Sequence, residues 1–114
     1  MIGDSITCGY GNEGSDENCS FSADTENHYL TYEAIAARNV GADLITVAWS
    51  GKGIIYNYGD DTTGPLPALY DRTLPQTDTS LWDFSWQPDA VVINLGTNDF
   101  STDGDPSQST FENA

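Results

Sequence analysis

The stretch that decides the fold is IGDSITCGYG, residues 2–11, in which a serine follows a short apolar segment and a glycine. Glycine permits a tight turn after a buried strand. A serine on such a turn presents its hydroxyl at the carboxyl end of a parallel sheet, where open α/β folds place their sites. Ser5 is therefore a candidate nucleophile, and it requires donors for an oxyanion and a base for its proton.

Two further apolar runs extend this beginning into a sheet. Residues 44–49, LITVAW, are rich in β-branched side chains and predict a strand. Residues 90–95, AVVINL, form the most continuous apolar run and predict a buried strand. Together with the helix expected between the first two strands, this order predicts a right-handed βαβ crossover and a parallel sheet, so the fold class is α/β.

Helix signals lie between and after these strands. Residues 24–38 are expected to form a helix with Asp24 or Thr25 as its N-cap and Gly41 as its left-handed C-terminal cap. Residues 105–107, Asp-Pro-Ser, predict the start of a second helix, with the aspartate as cap and proline at the first helical position.

The long segment 54–89 is expected to be irregular, because four prolines interrupt it. A connection of this length is usually functional or passes over a site. It is also rich in aromatic side chains, which either stack on sugar rings or simply pack the segment down; they are Tyr56, Tyr58, Tyr70, Trp82, Phe84 and Trp86.

The composition limits the possible partners. The chain has 114 residues, enough for one domain, and its three Lys and Arg against eighteen Asp and Glu give a net charge of −15. Such a charge disfavours nucleic acid and anionic membrane surfaces but tolerates a neutral sugar polymer. Solubility alone also explains this high negative charge. The first residues have no basic or apolar region typical of a signal peptide.

The two cysteines, Cys8 and Cys19, leave two alternatives open. A disulfide between them would close a short loop and contribute about 2–3 kcal/mol, or both remain free thiols. No metal site is predicted, because no glutamate closes a twelve-residue calcium loop begun at Asp99 or Asp103.

Three turns follow the three predicted strands, at residues 3–5, 50–53 and 96–99. In a parallel sheet all three emerge at the same edge. The Ser5 hydroxyl, the Gly51 N–H and the Asn98 amide are then expected to surround one carbonyl carbon, which is the arrangement needed for acyl transfer.

The sequence resembles the SGNH (GDSL-type) hydrolases, and within them carbohydrate esterase family 2. The resemblance lies in residues 2–11, in ENHY at 26–29, in WSGKG at 49–53 and in NLGTND at 94–99. It implies a flavodoxin-like α/β/α sandwich with five parallel strands, of which residues 1–114 would be the N-terminal part. It also implies removal of O-acetyl groups from plant polysaccharides, outside the cell, without metal or cofactor.

By the same resemblance Ser5 would be the nucleophile, and the N–H groups of Ser5 and Gly51 with the Asn98 side chain would form the oxyanion hole. Taken alone, Gly51 and Gly53 could be ordinary turn glycines, and Ser5 a turn residue. Asp4 and Asp99 are expected to hold turns by accepting backbone hydrogen bonds rather than to take part in the chemistry.

One part of the family pattern is missing. The late Asp-x-x-His motif that supplies the base does not occur, and the only histidine, His28, is expected to pack or cap near the start of the first helix. The chain alone is therefore predicted to be nearly inactive. With three strands of five, the edge of the strand at 90–95 is expected to be open and to recruit a second copy or a companion chain.

Two other functions remain open at this point. One is a binding or assembly protein that holds a sugar polymer through the aromatic segment 54–89. The other is an SGNH lipase or thioesterase, which the acidic surface slightly disfavours.

Overall fold

The central element is a three-stranded parallel sheet, seen in a computed structural model that describes residues 1–114. Its strands are β1 (Ile2–Gly3), β2 (Val47–Ala48) and β3 (Ile93–Asn94), in the order β2-β1-β3. Gly3 lies opposite Ala48 on one side and Asn94 on the other. This confirms the predicted parallel sheet, with strands shorter than the apolar runs that contain them.

Three short α-helices accompany the sheet, together with three 3₁₀ turns. The helices are α1 (Ser5–Cys8), α2 (Tyr32–Val40) and α3 (Gln108–Glu112), and the 3₁₀ turns cover Ala23–Thr25, His28–Leu30 and Leu66–Ala68. None of these helices has the length and apolar character needed to cross a bilayer.

The predicted helix over 24–38 is wrong in its first part. The chain forms two 3₁₀ turns there, because the Asn27 side chain accepts the Tyr29 N–H and caps the second turn. The α-helix begins only at Tyr32, after Thr31, whose hydroxyl accepts the Ala34 N–H. The predicted end is confirmed, since Gly41 is the left-handed C-cap with φ 68°.

The second helix also begins later than predicted. Ser107, and not Asp105, is its N-cap, and the Ser107 hydroxyl accepts the Thr110 N–H. The helix is short, and its Phe111 ring lies 5.1 Å from that of Phe100, near the turn after β3.

The expectation that residues 90–95 form a buried strand is wrong. Val91, Val92 and Ile93 are 56%, 50% and 62% exposed. Because successive side chains of an extended segment point to opposite faces, the exposure of these three residues means that both faces are open where the chain enters β3. The next residue, Asn94, is half-buried and donates to the Tyr32 hydroxyl at 3.2 Å. As an edge strand, β3 also leaves one side unpaired.

The best-buried side chains are polar rather than apolar. The buried aliphatic core consists of Ala34, Leu66 and Leu69, whereas Thr7, Asp4 and Asp99 are the largest fully buried side chains. Buried polar groups need hydrogen-bond partners, so their positions are tightly specified. Two of them, Asp4 and Asp99, belong to the turns at the carboxyl edge of the sheet.

The irregular segment 54–89 is confirmed, with one 3₁₀ turn at Leu66–Ala68. Within it the rings of Tyr70 and Trp82 lie 5.6 and 6.1 Å from that of Phe84, which supports the packing interpretation for these three aromatics. Tyr58 differs from them, since its side chain is 69% exposed.

Candidate active site

The three turns that follow β1, β2 and β3 meet at the carboxyl edge of the sheet. The Trp49 N–H donates to the Gly3 carbonyl at 3.3 Å, which joins the first two turns. The Asn98 amide donates to the Lys52 carbonyl at 2.8 Å, which joins the second and third. The turns that carry Ser5, Gly51 and Asn98 are therefore tied to one another by direct hydrogen bonds.

Ser5 is the first residue of α1 and is half-buried. Asp4 precedes it as N-cap and accepts the Ile6 N–H at 3.0 Å. The Ser5 carbonyl accepts N–H groups from Gly9 and Tyr10, at 3.1 and 2.9 Å. The backbone of the candidate nucleophile is thus fixed on both sides, directly after β1.

Gly51 has a backbone conformation that favours glycine, with φ 79°. Its carbonyl accepts the Tyr58 N–H at 2.8 Å, so the loop returns onto it seven residues later. That bond uses the Gly51 carbonyl and leaves the Gly51 N–H out of the pairing. This N–H is the group expected to serve as an oxyanion donor.

Asn98 is only 6% exposed, and its side chain is oriented by two acceptors. One is the Lys52 carbonyl at 2.8 Å, and the other is the Asp4 carboxylate at the much longer distance of 3.5 Å. An amide NH₂ has two hydrogens. The first is used by the Lys52 carbonyl and fixes the rotamer, while the second has only the long contact with Asp4.

Asp4 and Asp99 both hold turns through backbone N–H groups, as predicted. Asp99 is fully buried and accepts three of them, from Ile54, Ile55 and Tyr56. Burial raises the pKa of Asp4, and the nearby charge of Asp99 adds to this rise, while the hydrogen bond from Ile6 opposes it.

His28 lies at the start of its 3₁₀ turn and packs against neighbouring elements. Its Nδ1 is 3.2 Å from the Thr7 carbonyl and 3.6 Å from the Glu33 carboxylate, and its Nε2 is 3.4 Å from the Thr46 hydroxyl. Both ring nitrogens are thus engaged, in agreement with the packing role predicted from the sequence.

Cys8 and Cys19 are free thiols, so of the two alternatives the structure has the unpaired one. Burial raises the pKa of the Cys8 thiol. Burial therefore disfavours the thiolate form, which is the nucleophilic form of cysteine.

Residues 1–113 match the model of the GDSL-like lipase/acylhydrolase family. The chain belongs to this family. The sheet with β1 at its centre is part of the SGNH hydrolase fold that its structural relatives share.

Relatives of this GDSL-family chain are carbohydrate esterases. It is 53% identical over 106 residues to the cellulase/esterase CelE of Acetivibrio thermocellus, covering 90% of the chain and 12% of that protein. It is 39% identical over 105 residues to an acetylxylan esterase / glucomannan deacetylase of Cellvibrio japonicus, covering 90% of the chain and 29% of that protein.

Solved structures give the same result. A family two carbohydrate esterase from Clostridium thermocellum, in complex with cellohexaose, superposes with a TM-score of 0.90 at 47% identity, covering 97% of this chain and 34% of that one. A family two carbohydrate esterase from Cellvibrio japonicus gives a TM-score of 0.87 at 32% identity, covering 98% and 34%. The GDSL-family chain thus spans about a third of the length of these solved relatives.

Some contributors to the site were not identified from the sequence. The Lys52 carbonyl orients Asn98. Because it is a backbone group, the residue type at position 52 does not reveal this contact. The Asn57 side chain, which accepts the Gly53 N–H at 3.3 Å, lies in an irregular stretch without a recognisable motif. The nearest sequence signal is the pair of glycines at 51 and 53, from which only a turn was predicted.

Proposed function

We propose that this chain carries the nucleophile and the oxyanion donors of a serine esterase that removes O-acetyl groups from plant polysaccharides. The observation that carries the proposal is the joining of the Ser5, Gly51 and Asn98 turns at one edge of the sheet, with Asn98 anchored on the Lys52 carbonyl. The carbohydrate esterases among its relatives support the substrate class. Such a substrate lies outside the cell, so we also propose an extracellular location.

In this mechanism the Ser5 hydroxyl oxygen attacks the acetyl carbonyl carbon and loses its proton to a base. The charge that develops on the carbonyl oxygen is stabilised by the N–H groups of Ser5 and Gly51 and by the Asn98 amide. Collapse of this intermediate releases the sugar hydroxyl and leaves an acetyl group on Ser5. Water then releases acetate and restores the serine.

The base belongs to an Asp-x-x-His motif that is absent from residues 1–114, and His28 does not replace it. We therefore propose that residues 1–114 form the N-terminal part of a single hydrolase domain, which another part of the gene product or a companion chain completes.

Carbohydrate binding without turnover is the second candidate function. It is favoured by Tyr58, an exposed aromatic residue whose N–H donates to the Gly51 carbonyl at 2.8 Å. Aromatic rings present an apolar face on which a neutral sugar ring can stack, and the net charge of −15 does not oppose a neutral polymer.

The acyl-chain preference of the enzyme distinguishes an acetyl esterase from a lipase, and the absence of turnover identifies a binding protein. We expect the complete gene product to release acetate from acetylated xylan or glucomannan, and to prefer 4-nitrophenyl acetate over the propionate ester, which is one methylene longer, by about 10- to 200-fold in kcat/KM. Preference for long acyl chains would instead identify a lipase or thioesterase. Polysaccharide binding without acetate release, unchanged by Ser5→Ala, would identify a binding protein.

Self-association is expected from the open edge of β3. Val91, Val92 and Ile93, at and before the start of β3, are all at least half exposed, and the outer edge of β3 has no partner strand; such edges recruit further strands. Sedimentation of the 114-residue chain should give species larger than the 12.3 kDa monomer, unless a companion chain is supplied. A single monomeric species across the micromolar range would contradict this expectation.

A further inference from the structure

A buried carboxylate links the two loops that carry the oxyanion donors. Asp99, directly after Asn98, is fully buried. Its Oδ1 accepts the N–H groups of Ile55 and Tyr56 at 2.7 and 2.9 Å, and its Oδ2 accepts that of Ile54 at 2.9 Å. A single side chain from the turn after β3 thus satisfies three consecutive donors in the loop after β2.

The approach of this loop to Asp99 is unusually close. A Cβ added to Gly53 would lie 2.5 Å from Asp99 Oδ2 and 2.0 Å from the Tyr56 carbonyl oxygen. Glycine at this position therefore allows the backbone to wrap around the carboxylate. The loop is also closed on its other side, where Tyr58 donates to the Gly51 carbonyl at 2.8 Å.

The neighbouring residue holds the same loop at a second point. Asn98 donates to the Lys52 carbonyl at 2.8 Å, between Gly51 and the segment that Asp99 holds. Asn98 and Asp99 together therefore fix the Gly51 loop relative to the turn after β3. Any change in the Asp99 contacts would alter the spacing between the Gly51 N–H and the Asn98 amide.

We propose that Asp99 is a positioning residue that sets the spacing of the Gly51 and Asn98 oxyanion donors. The inference rests on the proposed esterase function. Asp99 does not touch the substrate in this scheme. Its effect is carried by the backbone of residues 54–56 to Gly51, and a charged carboxylate suits the role because it accepts on both oxygens.

Asp99→Asn tests this with little change in volume. An amide has one acceptor oxygen, so its NH₂ group must face at least one of the Ile54, Ile55 and Tyr56 N–H groups and displace it. In the complete gene product, with 4-nitrophenyl acetate, we expect kcat to fall by roughly 10- to 100-fold, because small misplacements of catalytic groups cost this much. KM should change by less than about 3-fold, as for an interaction made only in the transition state.

A double-mutant cycle with Asn98→Ala separates positioning from simple structural support. Asn98→Ala alone should cost about 10²- to 10³-fold in kcat. If Asp99 acts on the spacing of the two donors, adding Asp99→Asn to Asn98→Ala should cost much less than it does in the wild type. A combined loss equal to the product of the single losses would overturn the proposal.

Two controls complete the design. Asp89→Asn removes the same charge from an exposed residue and should leave kcat unchanged. Thermal unfolding shows whether Asp99→Asn folds. If it does not fold, Ile55 is replaced by its α-hydroxy acid, which removes the Ile55 N–H donor and keeps the Asp99 carboxylate. We then expect a loss of several-fold in kcat, and an unchanged kcat would overturn the proposal.

The outcomes also distinguish this inference from the proposed function. Activity that depends on Ser5, combined with a folded Asp99→Asn variant of unchanged kcat, overturns the positioning role alone. A complete gene product without any Ser5-dependent esterase activity overturns both.

Discussion

Ser5→Ala is expected to lower kcat/KM for acetyl esters by roughly 10⁴- to 10⁶-fold in the complete gene product, the loss seen when a serine nucleophile is removed. The reason is that no other group at this edge of the sheet replaces the Ser5 hydroxyl. Asp4 is oriented toward the Ile6 N–H, and the nearby Cys8 thiol has a raised pKa. The measurement is the initial rate on 4-nitrophenyl acetate and acetate release from acetylated xylan.

Ser20→Ala is a matched control for this substitution. Ser20 is exposed in the loop between Cys8 and the 3₁₀ turns, and it should be replaceable without effect on the rate. Polysaccharide binding by Ser5→Ala should persist, because the hydroxyl is needed for chemistry rather than for docking. A Ser5→Ala variant that retains more than a few per cent of the wild-type rate would contradict the assignment of the nucleophile.

The second large effect concerns the 114-residue chain by itself. We expect it to hydrolyse 4-nitrophenyl acetate at most about 10³- to 10⁴-fold above the uncatalysed rate, orders of magnitude below the complete gene product. A serine hydrolase without its base retains only the contribution of the oxyanion hole and binding. The only histidine of the chain, His28, is engaged with Thr7, Thr46 and Glu33.

Comparison with the Ser5→Ala form of the same 114-residue chain gives this test its control. The two forms should have nearly equal rates, and circular dichroism should establish that both are folded. Turnover at ordinary enzyme rates, abolished by Ser5→Ala, would contradict the prediction. It would mean that a base exists within residues 1–114.

The sequence allowed the parallel sheet and its site edge to be predicted because strand ends carry strong local signals. Gly3, Gly51 and Gly96 each follow an apolar run within two residues, and a parallel topology then brings the turns together. Gly41 was likewise predictable as a C-cap, because its left-handed conformation strongly favours glycine.

The errors have different physical causes. The first helix begins late because the Asn27 side chain accepts the Tyr29 N–H and caps a 3₁₀ turn, and this local side-chain bond prevails over the favourable cap residues Asp24 and Thr25. The run 90–95 was expected to be buried from its composition, yet burial depends on what packs against a strand. In the described chain Val91, Val92 and Ile93 are each at least half exposed.

The contacts of Asp99 were only partly predictable. Its role as a holder of turns follows from the side-chain chemistry of aspartate. Its three partners are 43–45 residues away in an irregular loop, and no local pattern identifies them. Such long-range contacts to backbone N–H groups become visible only in three dimensions.

The most direct test of the account is a crystal structure of the complete gene product with Ser5 covalently modified by a methylphosphonate. We expect a phosphorus–oxygen bond to Ser5, with the phosphoryl oxygen about 2.7–3.1 Å from both the Gly51 nitrogen and Asn98 Nδ2. A phosphoryl oxygen directed to solvent, or an adduct on a different residue, would contradict the convergence of these three turns on one oxyanion.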